Sequence, residues 1–325
     1  MKNKGSFLHL ATVNSTVIVS NNSNKGLLYS EDKGKTWNQS NIKTGNFYNL
    51  TTIGDTVIAI SSSNKGLLYS EDNGKIWKKS NITSGFFDCL IVIDNIIIAI
   101  SSSNKHLYYS EDNGKTWKRS NITSGNFKCL TVIDGTIIAG SYTRKGLLYS
   151  EDKGKTWNKS NITSGDFWSL ITIGDIVIAG SDYDEGLYYS EDKGKTWNKT
   201  NINEGYFRCL TTIGSTVIAG SDSGKGLLYS EDNGKTWNKS NITSGFFFCL
   251  TVIGDTIIAC SDYDSGLLYS EDNGKTWKQS NITSGIFFCL TVVDNTVIAG
   301  SINGLYYSED NGKTWKESDI IMNNN

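Results

Sequence analysis

The chain has no proline, two histidines (His9 and His106), three arginines (Arg119, Arg144 and Arg208) and two methionines among 325 residues. So little histidine and arginine leaves scant material for the common catalytic machineries. No apolar run approaches the ~18 residues of a membrane-spanning helix. The formal net charge is only −2 and no basic block interrupts it, so neither nucleic acid nor an anionic membrane has an electrostatic reason to bind. No Cys-x-x-Cys spacing occurs among the six cysteines, which argues against a zinc or redox motif. What remains is 38% hydrophobic, too apolar for a disordered chain of such low charge.

Glycine and tryptophan are plentiful, and a repeat explains why. The string Ser-Glu-Asp-x-Gly-Lys-Thr-Trp begins at Ser30, Ser70, Ser110, Ser150, Ser190, Ser230, Ser270 and Ser308, with Ile76 replacing the threonine once. Successive starts lie forty residues apart until the last, which comes two residues early because the loop at Ser301–Gly304 is shortened. Eight such units account for the whole length. Residues 1–325 are therefore expected to form one domain of eight units, at about 5–44, 45–84, 85–124, 125–164, 165–204, 205–244, 245–284 and 285–321.

Each unit reads as strands. In the second, Phe47–Ile53 is β-rich and stops at Gly54-Asp55, a two-residue hairpin turn. Thr56–Ile60 is a second run, Gly66–Ser70 a third after a polar loop, and Lys75–Ser80 a fourth after the turn Glu71–Gly74. Consecutive apolar residues imply strands covered on both faces. Four antiparallel strands repeated eight times predict an all-β fold, an eight-bladed β-propeller. A solenoid is the rival, but a closed ring leaves no terminal sheet to cap. Because the chain enters at a first strand and leaves after a fourth, closure is expected without a strand lent by the other terminus.

The motif Ser-x-Asp-x-Gly-x-Thr-Trp resembles the Asp-box, and the units are similar to BNR/Asp-box repeats. That family includes sialidases, sortilin-type receptors, xyloglucan-cleaving enzymes and photosystem II assembly factors. The resemblance implies that the box occupies each third-to-fourth strand turn and is structural. In that role Asp32, Asp72, Asp112, Asp152, Asp192, Asp232, Asp272 and Asp310 fix the turn, each bonding the backbone two residues on. Trp37, Trp77, Trp117, Trp157, Trp197, Trp237, Trp277 and Trp315 bury their rings against the neighbouring blade. A calcium loop built on the Glu-Asp pair would need further oxygen ligands at alternating positions, which are missing, and no metal or cofactor is expected.

A sialidase-like site would gather three arginines. Here Arg119 falls on an outer strand, Arg144 in a loop and Arg208 on a first strand, and the Arg-Ile-Pro element of such enzymes cannot exist without proline. Paired-carboxylate glycoside cleavage needs two acids roughly 5–10 Å apart across a cleft. Asp88, Asp166, Asp182, Asp184, Asp262 and Asp264 single out no such pair. The chain therefore reads as a non-enzyme. Cys89, Cys129, Cys209, Cys249 and Cys289 share one column, whose copies in different blades lie too far apart for disulfides, and Cys260 stands in another. Small buried thiols in a reducing compartment follow.

Two regions escape the repetition. The residue before the constant Phe of the first strand runs Ser6, Asn46, Phe86, Asn126, Asp166, Tyr206, Phe246, Ile286, and the residue after it Leu8, Tyr48, Asp88, Lys128, Trp168, Arg208, Phe248, Phe288. The second-to-third strand loop carries Tyr142 and Arg144 in blade 4, Asp182 and Tyr183 in blade 5, and Asp262 and Tyr263 in blade 7. Up-and-down topology puts both regions on the face opposite the boxes, around the axial channel. Neutral drift predicts ordinary surface residues there. Instead 7 of the 16 flanking positions are aromatic, against 11% of the chain, which points to a recognition face.

The expected function is a non-catalytic scaffold binding a protein, peptide or glycan through Tyr48, Phe86, Asp88, Lys128, Trp168, Tyr206, Arg208, Phe246, Phe248, Phe288, Tyr142, Arg144, Asp182, Tyr183, Asp262 and Tyr263. Two alternatives stay open: a multivalent lectin using the near-identical Asn-Ile-Thr-Ser-Gly connections, and a glycosidase of the Asp-box class. A monomer is expected. The absence of a signal-like apolar segment behind Met1 points to the cytoplasm.

Overall fold

In a computed structural model of the chain, describing residues 7–21, 24–61, 66–101, 106–120, 127–142, 144–182, 185–261 and 265–320, every repeat folds as its own antiparallel sheet. Blade 1 comprises Phe7–Val13, Thr16–Asn21, Leu27–Ser30 and Thr36–Gln39. Blade 2 comprises Phe47–Ile53, Thr56–Ser61, Leu67–Ser70 and Lys78–Lys79. The other six repeat that order, and the first strands of adjacent blades lie side by side around the circle. The second strands are the core. Val57 to Ile60 are fully buried, sandwiched between neighbouring sheets, which is why they read as unbroken apolar runs. The fourth strands are shorter than the sequence implies: most keep two residues, because the box turn extends to the tryptophan.

The Asp-box builds that turn by a different bond from the one expected. Asp32 reaches four residues on, not two: its Oδ1 accepts from Thr36 N at 2.8 Å and from Ser30 Oγ at 2.8 Å, and its Oδ2 from Thr36 Oγ1 at 2.6 Å. Ser30 Oγ in turn accepts from Gly34 N at 2.8 Å. The two residues after the aspartate both have positive φ, 60° at Asn73 and 81° at Gly74 in blade 2, as a primed turn requires. At Gly74 space matters as well, since a Cβ would stand 2.5 Å from Ile18 Cγ1 of blade 1. Trp77 packs on Ala11, Val13, Ile18 and Leu27 of that same blade and donates its Nε1–H to Gly74 O at 2.8 Å. Truncating such a ring to alanine costs about 3–5 kcal/mol.

Three further devices join blade to blade. Among the described residues, the six asparagines that follow a fourth strand clamp the next blade: Asn41 Nδ2 donates to Trp77 O at 3.2 Å while Asn41 Oδ1 accepts from Trp77 N at 2.8 Å, and Asn81, Asn161, Asn201, Asn241 and Asn281 do likewise. The box lysine pairs with the box glutamate of the preceding blade, as Lys75–Glu31, Lys115–Glu71, Lys195–Glu151, Lys235–Glu191, Lys275–Glu231, Lys313–Glu271 and, across the closure, Lys35–Glu309, all at 2.6–2.8 Å. Such exposed pairs are screened by solvent and contribute little, so the clamps and the core carry more of the stability. Finally, the variable box residue faces the hairpin turn of the preceding blade. It is lysine where aspartate is the first residue of that turn, giving Lys33–Asp294, Lys153–Asp94 and Lys193–Asp134 at 2.9, 3.1 and 3.2 Å. Where the turn offers Asn14 it is Asn73, bonded at 3.0 Å.

Closure departs from expectation. Asp319–Ile320 pairs in parallel with the outer strand of blade 1, Asp319 opposite Thr36 and Ile320 opposite Trp37, making that sheet five-stranded. Asp319 stands where the other described connections place the clamping asparagine, and its N donates to Lys35 O at 2.8 Å as Asn41 N does to Lys75 O at 3.1 Å. With aspartate in place of asparagine there is no side-chain amide to donate to the tryptophan carbonyl, and the backbone ladder takes over. It also accounts for the four-residue length of Thr36–Gln39.

Candidate functional site

Every first strand carries a β-bulge. In blade 5 Phe167 lies opposite Ser181 and Ser169 opposite Gly180, leaving Trp168 as the extra residue. The same break occurs in the other seven blades, at Leu8, Tyr48, Asp88, Lys128, Arg208, Phe248 and Phe288. The variable column is thus the bulge column. A bulge frees its residue from the two-face alternation and re-aims it, so its identity is uncoupled from packing. The next residue turns into the neighbouring blade. Ser169 Oγ donates to Phe207 O at 2.8 Å, and the thiols of Cys129 and Cys209 reach Phe167 O and Phe247 O at 3.5 and 3.4 Å. That gives the cysteine column a role the sequence did not disclose.

The second-to-third strand loops are tied to the residues that precede each Phe. Arg144 N donates to Asp166 Oδ1 at 2.6 Å, Asp182 N to Asp166 O at 2.9 Å and Asp222 N to Tyr206 O at 2.7 Å. Both variable regions therefore form one continuous surface. His9, the residue after the bulge of blade 1, is lowered to about 4 by desolvation and by the charge of Lys128 in blade 4, so it is neutral at pH 7.

Blades 4 to 6 build a cation–indole–cation sandwich on three consecutive bulges. Lys128 Nζ lies 5.2 Å from the Trp168 ring centroid and the Arg208 guanidinium 4.9 Å from it. Tyr142 and Tyr206 flank the indole at centroid distances of 6.0 and 5.5 Å. Asp222, which no feature of the repeat singles out, anchors Arg208 Nε at 2.8 Å. Each cation–ring contact adds about 0.5–2 kcal/mol. Trp168 Nε1 is buried and meets no acceptor among the described residues.

Tyr206 corrects the sequence expectation, for it is only 5% exposed. It backs the Trp168–Arg208 wall rather than facing a ligand, and burial pushes its hydroxyl up to about 12. The opposite holds in blades 3 and 7, where Phe86 and Phe246 are 46% and 41% exposed. Phe248 and Phe288 are half-buried and lie 6.4 Å apart. Arg144 is exposed and Asp182 half-buried. Tyr48 and Asp88 occupy their bulges by backbone register. Tyr183, Asp262 and Tyr263 lie outside the described residues.

The sequence profile of the BNR/Asp-box repeat matches residues 108–119, 228–239, 268–279 and 306–317. No curated protein matches the chain in sequence. Among solved structures it is similar to the computationally designed Ika8 protein, with a TM-score of 0.73 and 10% identity over 94% of this chain and 96% of that one. Sqt1 of Saccharomyces cerevisiae gives a TM-score of 0.69 and 11% identity over 94% and 95% of the two chains. A YCF48 chain bound to D1 peptide gives 0.62 and 13% over 93% and 96%. At these identities the likeness is one of fold.

Proposed function

The chain is an eight-bladed β-propeller of BNR/Asp-box repeats, and from that premise we propose that it is a non-catalytic interaction scaffold. It holds one protein or peptide partner on the bulge face around the axis. The observation that carries this reading is the coincidence of two variable columns on one surface. The bulge residue is released from the sheet ladder and differs from blade to blade, and its neighbour before the Phe, which differs as much, supplies the exposed aromatics Phe86 and Phe246. Rigid scaffolds place recognition residues in this way. The YCF48 chain of similar fold was solved with a peptide bound, which supports a peptide as ligand class. A column of buried and half-buried cysteines in separate blades suits the reducing cytoplasm.

The repeated groups are less available. The asparagines of the connections are engaged as inter-blade clamps, which disfavours a lectin with equivalent sites. The box carboxylates are held by their own serine and threonine, which disfavours acid–base work. Affinity capture from a lysate tests the scaffold reading. A partner retained by the wild type and lost on combining Phe246→Ser with Phe248→Ser, in a one-to-one complex by native mass spectrometry, supports it. Retention by the double variant, or several partner copies per propeller, overturns it.

A further inference from the structure

We propose that Cys249 and Cys260 form an oxidisable dithiol, at which a two-electron oxidant such as hydrogen peroxide closes a disulfide across the first two strands of blade 7. The two residues are direct cross-strand partners. Opposed residues of an antiparallel pair have Cα atoms about 4.5–5.5 Å apart, inside the ~4.4–6.8 Å that a disulfide spans. The other blades show where a side chain at the second position must point. Glycine stands there in blades 4, 6 and 8, and a Cβ added at Gly140, Gly220 or Gly300 would lie 2.5, 2.4 or 2.6 Å from the sulfur of the facing cysteine. Blade 7 has such a side chain, and it is a thiol. The facing cysteines of blades 4, 6 and 8 meet glycine, and Cys89 meets Ile100, so the arrangement is confined to one blade.

Chemistry distinguishes the two sulfurs. Cys260 is fully buried, whereas Cys249 is partly exposed on the strand that carries Phe248. The hydrogen bond from the Cys260 thiol holds Cys249 below the usual thiol range, while burial pushes Cys260 well above it. Cys249 is therefore the nucleophile. Its thiolate attacks a peroxide oxygen, the O–O bond breaks, and a sulfenic acid forms while the leaving hydroxide takes up the proton the Cys249 thiol had released, giving water. The Cys260 sulfur then attacks the Cys249 sulfur, the S–O bond breaks, and the departing hydroxide takes the Cys260 proton as a second water. Two thiols are oxidised, one peroxide is reduced, and a thiol reductant reverses the step. The site stands whether or not the bulge face binds a partner.

The test treats the folded protein with hydrogen peroxide, then unfolds it in iodoacetamide and counts alkylated cysteines by mass spectrometry. The count is expected to fall from six by two, with a cross-linked peptide joining 249 to 260, and to recover fully after dithiothreitol. Cys260→Gly restores the residue of the sister blades and should fold normally by circular dichroism while losing the cross-link. Cys249→Ser should also lose it and Cys209→Ser should keep it. Six alkylated thiols after oxidation, a link to Cys209 or Cys289, or sulfinic acid at Cys249 with Cys260 still alkylated would each overturn the assignment.

Discussion

Replacing Ile76 by threonine should stabilise the propeller, and the other seven blades supply the geometry from which the gain is worked. In each of them the box threonine Oγ1 donates to the aspartate Oδ2 at 2.5–2.7 Å. Blade 2 keeps the backbone bond, Ile76 N to Asp72 Oδ1 at 2.9 Å, but has no hydroxyl to give. Ile76 is 55% exposed, so little hydrophobic stabilisation is lost with its side chain, and both residues are β-branched. A hydrogen bond contributes about 0.5–1.5 kcal/mol net. A charged acceptor strengthens it and exposure weakens it, which leaves about 1 kcal/mol. An unfolding entropy of ~2.1 cal/mol/K per residue over 325 residues converts that gain into about 1.5 °C. Scanning calorimetry of wild type and Ile76→Thr at pH 7 reads it directly. In an Asp72→Ala background the same substitution should give nothing. An unchanged or lower midpoint, or a gain that survives without Asp72, would refute the reasoning.

Three other outcomes follow from the same bonds. Seven box aspartates, Asp32, Asp112, Asp152, Asp192, Asp232, Asp272 and Asp310, sit below the ordinary carboxylate range. Burial is the largest single influence and raises them, but the combined serine and threonine bonds outweigh it. A depressed folded-state value means stability present above the unfolded value of ~3.9 and lost as pH falls through the folded one. Urea midpoints should therefore hold from pH 5 to 7 and drop below pH 4; a midpoint that rises in acid contradicts this. Asn241→Ala removes bonds of 3.1 and 2.8 Å to Trp277 O and N and should cost about 2–3 kcal/mol in urea unfolding, whereas a loss under 0.5 kcal/mol would show the clamp to be idle. Deleting residues from 319 onward removes the strand beside Trp37 and should lower the melting temperature measurably, and an unchanged transition would show that the ring closes without it.

Much of the fold was legible because every blade repeats the experiment. A fixed period, turn glycines and apolar runs set the blade number and strand order before any coordinate. One legible pattern went unread: lysine follows the box aspartate only where the preceding blade's hairpin offers Asp94, Asp134 or Asp294. That match marks three of the blade junctions and, through Lys33 and Asp294, joins the last blade to the first. The bulge was hidden because one extra residue leaves no mark in composition; Trp168 and Phe248 look like ordinary strand positions until the register is known. Tyr206 was misjudged for a related reason. Exposure at a variable position depends on the size of its neighbours, and here Trp168 and Arg208 cover it. Cys260 looked like a stray substitution until the register set it against Cys249.

The recognition face is tested most directly by a photo-crosslinker placed at two positions of the intact chain. Benzoylphenylalanine replacing exposed Phe246 should capture the partner on irradiation, and the same group replacing Lys199 on the outer strand of blade 5 should not. Capture from position 199 with none from 246 would contradict the account.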